Sequence, residues 1–174
     1  MNKRLVNQKP PLTPRRPNGL GPKTWKSIEP IFKASQQAQR EIGRFRFYPY
    51  LVAVYRTCSG WKRLGVSRKM ARHVAKAFKT PRRKGTTPVR TLIDATFPAL
   101  DSKQRSRWSR ALEFAAFAKA TPEQLPNLFK SHAGISGCAR LAAKQKAKKE
   151  TYRDDWAPAP CPRAQLGDVL EWQK

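Results

Sequence analysis

Apolar residues recur at intervals of three and four across roughly 120 central residues, and prolines and glycines divide that pattern into short segments. Such spacing is typical of amphipathic helices. The alternation of polar and apolar residues that marks a half-buried strand does not occur in any run. The pattern therefore predicts an all-α protein, a small bundle of about six or seven helices.

Several helix starts can be placed from prolines and from residues that cap helices. Pro30 suits a first helical position, because its missing N–H is one that a helix start leaves unpaired. Ser67 and Asp101 are predicted N-caps, since a short polar side chain can accept a hydrogen bond from the first helical turn. Thr87 followed by Pro88 predicts a further helix start.

The two ends of the chain differ in composition from its centre. Residues 1–23 hold five prolines and two basic clusters with almost no apolar surface, which predicts a disordered basic arm. Residues 150–174 are again proline-rich and predict a flexible tail. Within that tail, residues 163–173 form a possible docking segment for a protein partner. Residues 24–149 are the predicted helical domain.

Basic residues dominate the first half of the chain. The 174 residues include 37 Lys and Arg against 11 Asp and Glu, a formal net charge of +26. Residues 1–93 hold 23 of the basic residues and only 2 acids. Like charges in such excess repel one another and disfavour a compact state, and a bound polyanion relieves that repulsion. The charge therefore predicts nucleic-acid contact. A uniformly solvated cationic surface is the plainer alternative.

A helix over residues 68–79 would carry its basic and its larger apolar side chains on opposite faces. The polar face has no acid, although solvated faces usually mix signs because opposite charges four residues apart stabilise a helix. We therefore expect the apolar face to pack on a core and the other face to present cations. The basic residues concerned are Arg68, Lys69, Arg72, His73, Lys76 and Lys79.

Residues 53–79 loosely resemble a helix-turn-helix. Leu64 would close the first helix, Gly65 would form the turn and Val66 would pack inward. The helix after Ser67 would then be a recognition helix in the major groove of DNA.

In this DNA-reading hypothesis, Arg68 and Arg72 contact bases, because arginine can donate two hydrogen bonds to guanine. Lys69, Lys76 and Lys79 would contact phosphates. Two alternatives stay open at this point. One is a basic helix that meets phosphates without reading bases, and the other is plain packing of a surface helix.

Two further basic clusters extend the predicted interface. The loop that follows residue 81 contains Arg82, Arg83 and Lys84, a composition that can lie in a minor groove or serve as a solvated connector. The other cluster consists of Arg105, Arg107 and Arg110. These residues surround Trp108, which we expect to lie in the core rather than to stack on a base.

Catalysis and metal binding find little support in the sequence. The cysteines and histidines have no zinc-binding spacing, and Cys58 is predicted to be a small core residue. A two-metal nuclease needs several convergent carboxylates, and residues 94–149 hold only four: Asp94, Asp101, Glu113 and Glu123. We therefore expect a non-enzymatic protein with no metal and no cofactor.

No run approaches the roughly 18 apolar residues of a membrane span, so no membrane contact is predicted.

The segments 82–85, 106–113 and 134–140 carry a resemblance to uncharacterised basic helical proteins of alpha-proteobacteria, and the resemblance extends over about half of the chain. The resemblance implies a bacterial cytoplasmic location and attaches no activity to any residue.

These features together predict a DNA-binding protein of the nucleoid, either a transcriptional regulator or an architectural factor, with duplex DNA favoured over RNA. An RNA-binding or ribosome-associated protein is the first alternative. It rests on charge alone, because the glycine-aromatic and GXXG signatures of common RNA-binding modules are missing. A basic adaptor for a protein partner is the second alternative. The sequence predicts no oligomeric state.

Overall fold

The protein is helical throughout the part that the structure describes. The computed structural model describes residues 16–43, 45–81 and 85–155, with residues 148–155 as backbone only. These ranges contain seven helices and no strand, which confirms the all-α prediction. The helices are α1 (Pro22–Arg40), α2 (Tyr48–Arg63), α3 (Ser67–Ala77), α4 (Pro88–Thr96), α5 (Ser102–Phe117), α6 (Leu125–Ser131) and α7 (Gly134–Asp155).

Helix α1 begins earlier than its sequence suggests. Pro22, directly after Gly21, takes the first helical position, and the helix continues through Pro30. The predicted start at Pro30 is therefore wrong. A proline inside a helix removes one backbone hydrogen bond, here to the carbonyl of Lys26. Both Pro30 and Lys26 are exposed, so water can satisfy that carbonyl, while Ile28 and Ile31 are buried on the opposite side.

A closed turn ends α2 and sets the start of α3. Gly65 has a φ of 70°, and the N–H groups of Gly65 and Val66 donate to the carbonyls of Lys62 and Trp61 at 3.0 Å each. This pair of bonds is a Schellman motif, which favours glycine at the left-handed position. Val66 thereby becomes the N-cap of α3, and Ser67 is already helical with no capping bond. The predicted N-cap at Ser67 is wrong by one residue.

The other two predicted caps are confirmed. The Thr87 hydroxyl accepts a hydrogen bond of 3.3 Å from the N–H of Arg90 and begins α4. The Asp101 carboxylate accepts one of 3.0 Å from the N–H of Lys103 and begins α5. Each side chain satisfies a donor that the first helical turn would otherwise leave unpaired.

Replacing Asp101 with alanine is expected to lower the free energy of unfolding by about 1 kcal/mol, because the cap of α5 is lost. Urea denaturation followed by circular dichroism measures this change. Asp101→Ser keeps an acceptor at the cap and should cost less. Equal losses in the two variants would contradict the capping role.

An aromatic cluster fills the core between α2, α4 and α5. The Trp108 ring lies 4.9 Å from that of Phe47, 5.7 Å from that of Tyr50 and 6.2 Å from that of Phe97, centroid to centroid. Trp108 is 2% exposed, so its predicted place in the core is confirmed. The Tyr50 hydroxyl lies 2.8 Å from the Thr96 hydroxyl, and burial raises the pKa of Tyr50.

The helices pack mainly against near neighbours along the chain. Helix α5 packs most extensively on α7, and α2 contacts five other helices from a central position. None of the helices in the described ranges combines the length and apolarity needed to cross a membrane. Helices α3, α4, α5 and α7 together carry the surface described next.

Candidate nucleic-acid interface

Helix α3 turns its apolar side inward and its basic side chains outward, as predicted. Ala71, Val74 and Ala75 are buried, and Met70 and Phe78 pack against the core. The opposite side is exposed and is called the α3 basic face. Its members are Arg68, Lys69, Arg72, His73, Lys76 and, just past the helix end, Lys79. None of these side chains has an ion pair with any other residue that the structure describes.

The first turn of α3 carries positive charge where a helix tolerates it least. Arg68 and Lys69 are the second and third residues of the helix, and the first turn contains no acid. The aligned peptide dipoles place a partial positive charge at this end, so each cation costs about 0.3–1 kcal/mol at low salt. An anion bound at this end would relieve both the dipole and the side-chain repulsion.

The backbone beyond α3 directs Lys79 toward a neighbouring depression. Lys79 has a φ of 50°, and the N–H groups of Lys79 and Thr80 donate to the carbonyls of Lys76 and Ala75. This is a second Schellman motif, here with lysine rather than glycine in the left-handed position. The chain turns away from the helix axis, and Lys79 joins the lining of the depression.

Three depressions lie side by side across α3, α4, α5 and α7. The first, of 470 Å³, is lined by Arg68 and Arg72 and by the segment 85–88. The second, of 740 Å³, lies between that segment and helices α4 and α5. The third, of 600 Å³, lies between α5 and α7.

Shared lining residues show that the three depressions adjoin one another. Residues 85–87 line both the first and the second depression. Ser102, Ser106 and Arg110 line both the second and the third. We call the whole the cationic groove, because the described residues of its lining include nine basic side chains and two acids, Asp94 and Glu113. The nine are Arg68, Arg72, Lys79, Arg90, Lys103, Arg105, Arg107, Arg110 and Arg140.

The groove unites most of the residues that the sequence singles out. Six of the eleven predicted contacts line it: Arg68, Arg72, Lys79, Arg105, Arg107 and Arg110. Lys69 and Lys76 are exposed on α3 outside its lining. Arg82, Arg83 and Lys84 lie outside the described residues, as does the predicted docking segment 163–173.

Sequence reasoning missed three cations of the groove: Arg90, Lys103 and Arg140. They stand on α4, α5 and α7 and come together only through packing of those helices. Arg90 is the only basic residue of α4, whereas Lys103 and Arg140 have other basic residues in their helices. The only available signal was that residues 102–112 hold four cations and no acid.

The side chain of Arg105 differs in its contacts and exposure from those of Arg107 and Arg110, the other two members of the predicted basic cluster. Its Nη1 donates to the Asp94 carboxylate at 3.2 Å, and its side chain is 24% exposed. Its Nε is buried with no acceptor among the described residues. Arg107 and Arg110 are exposed. Arg105 is thus a recessed cation on the wall of the groove rather than a simple surface contact.

Asp94 orients a second arginine as well. Arg90 Nε lies 2.9 Å and 3.0 Å from the two carboxylate oxygens of Asp94, and Arg90 Nη1 donates to Ser106 Oγ at 2.6 Å. The side chain of Asp94 is only 13% exposed, so its charge is matched by both guanidinium groups rather than by water. The arrangement fixes Arg90 and Arg105 in position at the wall of the second depression.

Glu113, the other acid of the groove, accepts hydrogen bonds from two hydroxyl groups. Thr87 Oγ1 donates at 3.1 Å and Ser109 Oγ at 3.2 Å. Both bonds reach the same carboxylate oxygen, and the bond from Thr87 links α5 to the N-cap of α4. Glu113 therefore has a structural role in holding the two helices together.

The described residues offer no cluster of three or more His, Cys, Asp or Glu side chains that could hold a metal ion. Cys58 is buried, as predicted, and so is Cys138. Burial raises the pKa of the Cys58 thiol to about 12 and also raises that of Cys138, so both thiols are protonated at neutral pH.

Comparison of the chain with protein-family models, curated proteins and solved structures finds no match. The charges and geometry of the groove and of α3 are therefore the basis for assigning a function.

Proposed function

We propose that the protein is a non-enzymatic nucleic-acid-binding protein that binds duplex DNA through the α3 basic face and the adjoining cationic groove. The observation that supports this most directly is the set of exposed basic side chains on α3, which have no ion-pair partner among the described residues. Basic side chains without ion-pair partners repel one another, and two of those on α3 also oppose the helix dipole. Both effects reduce the stability of the fold. A polyanion turns that cost into binding free energy.

The dimensions of α3 suit a duplex. Its 11 residues form a helix about 16 Å long, and an exposed helix of that kind fits the major groove. If about six phosphates are neutralised, log K should fall with log salt at a slope near −5. DNA binding would place the protein in the bacterial nucleoid, as a regulator or an architectural factor.

The α2–α3 pair supports a more specific role. The helices are joined by the short turn at Gly65, as in a helix-turn-helix, with α3 as the recognition helix. Arg68 and Arg72 stand one helical turn apart at the start of α3 and line the same depression. In this role they would contact base edges, while Lys69, Lys76 and Lys79 would contact phosphates.

Arg68→Ala and Arg72→Ala are each expected to weaken discrimination between cognate and random duplexes by about 1–3 kcal/mol, because each loses a contact to guanine. Lys76→Ala should weaken binding to all sequences alike. Competition binding at fixed salt measures both effects. If the arginine variants keep the same sequence preference, α3 does not read bases.

The proposed function is tested by crosslinking the full protein in its native cell, purifying it stringently and sequencing the attached nucleic acid. Discrete DNA peaks with a shared motif would support a sequence-reading regulator. Even coverage of DNA would support an architectural protein that contacts phosphates only. Recovery of mainly RNA, or of no nucleic acid, would overturn the proposal.

A further inference from the structure

The second depression of the groove has a different character from the α3 basic face. It is the largest of the three, at 740 Å³, and falls within the size range of small-molecule sites. Two of its cations are recessed, since the side chains of Arg90 and Arg105 are only 20% and 24% exposed. Its other two cations, Lys79 and Arg110, are exposed, as are the cations of the α3 basic face.

This difference decides which phosphates can reach which cations. A duplex is a rigid rod, and its backbone phosphates meet side chains that project from the protein surface. Recessed guanidinium groups are reached only by a group that enters the depression. The end of a strand, or a free small molecule, can do so.

The charges of the depression match a dianion. Its described lining residues include four cations, Lys79, Arg90, Arg105 and Arg110, and the carboxylates of Asp94 and Glu113, and their net charge is +2. A phosphomonoester carries about −1.5 to −2 at neutral pH, whereas each phosphate inside a strand carries only −1.

The donors on the wall are oriented before any ligand arrives. Asp94 holds both Arg90 and Arg105, and Arg90 also bonds to Ser106. Guanidinium groups fixed in this way bind phosphate oxygens with little loss of side-chain entropy.

The depression also offers apolar surface beside its cations. Phe78, Pro81, Ala95 and Pro98 belong to its lining, and the Phe78 ring is held by stacking on Phe32 at 5.1 Å. A sugar or a base attached to the phosphate can pack against these residues. A nucleotide therefore fits the lining better than a bare inorganic anion.

We propose that the depression between α4 and α5 is a binding site for a phosphomonoester, either the terminal phosphate of a nucleic-acid strand or a free nucleotide. The site consists of Arg90, Arg105 and Arg110, with Lys79 at its edge. Binding of a free nucleotide there does not depend on the proposed duplex binding by α3. The use of a strand end does rest on that proposed function.

The test uses the full chain and isothermal titration with AMP, adenosine and inorganic phosphate at low salt. AMP is expected to bind at least about tenfold more tightly than adenosine, because only AMP carries the phosphate. Inorganic phosphate is expected to compete with it. No binding of AMP, or equal binding of AMP and adenosine, would overturn the proposal.

Two variants locate the site. Arg110→Ala removes an exposed cation of the depression and is expected to weaken AMP binding about tenfold. Arg40→Ala removes the same charge from α1, outside the depression and outside the α3 basic face, and should leave AMP binding unchanged. Equal weakening by both variants would show general charge attraction and would overturn the proposed site. Circular dichroism of both variants confirms that they fold.

Oligonucleotides that carry a 5′-phosphate or a 5′-hydroxyl distinguish the two sources of the ligand. Tighter binding of the phosphorylated form, lost in Arg110→Ala, would support a strand end. AMP binding with no difference between the oligonucleotides would support a free nucleotide. If AMP binds while duplex DNA does not, the phosphomonoester site stands and the proposed function fails.

Discussion

Replacing Lys69, Arg72 and Lys76 together with alanine is expected to weaken binding to duplex DNA by several hundred-fold at about 0.1 M salt. Each phosphate contact contributes about 0.9 to the slope of log K against log salt. Lys69 and Lys76 are the proposed phosphate contacts of this set and Arg72 is a proposed base contact, so the triple variant should show a slope less steep by roughly 2. Alanine favours helix formation, so α3 itself should persist. Fluorescence anisotropy over a series of salt concentrations measures both quantities.

A matched variant removes the same charge elsewhere. Lys23, Lys26 and Arg40 are exposed on α1 and do not line the groove. Their replacement with alanine should change the slope by much less than the α3 variant does. Equal losses in the two variants would mean that affinity follows net charge, and the α3 basic face would no longer be the binding surface.

Trp108→Ala is expected to lower the free energy of unfolding by about 3–5 kcal/mol, because it removes a large side chain from the aromatic cluster and leaves a cavity. Domains of this size are stable by only about 5–15 kcal/mol, so the loss is a large part of the total. Phe117→Ala provides the control, since Phe117 lies in the same helix but is 70% exposed. That variant should change stability by no more than about 0.5 kcal/mol.

Urea denaturation followed by circular dichroism compares the two variants. A small loss in Trp108→Ala would contradict the packing described for the cluster. A large loss would also explain why Trp108 is unsuited to stacking on a base, because its ring is already enclosed by Phe47, Tyr50 and Phe97.

Local features of the fold were predictable from the sequence. The caps at Thr87 and Asp101 depend on side chains that bond within one helical turn, and the two faces of α3 follow from its periodicity alone. The start of α1 was not predictable, because a proline at position 30 is tolerated inside the helix only where the carbonyl of Lys26, which loses its hydrogen bond, is open to water. The N-cap of α3 was missed because the end of α2 determines it.

The site was less predictable than the fold. Asp94 and Arg105 are 11 residues apart and meet only when α4 packs on α5. No periodicity distinguishes Arg105, which this contact holds on the wall of the groove, from Arg107 and Arg110, which stay exposed. The three depressions likewise arise from the spacing between helices, and that spacing depends on how the core packs.

The packing order of the helices has a consequence for how the chain folds. Helix α1 packs on α2, α3 on α4, and α4 on α5, so each helix meets a partner synthesised just before or just after it. Helical bundles, which are rich in local contacts, fold in about microseconds to milliseconds. Synthesis adds only about 5–20 residues per second. The chain can thus assemble vectorially, and α3 is already seated on its neighbours before α7, the last wall of the groove, has left the ribosome.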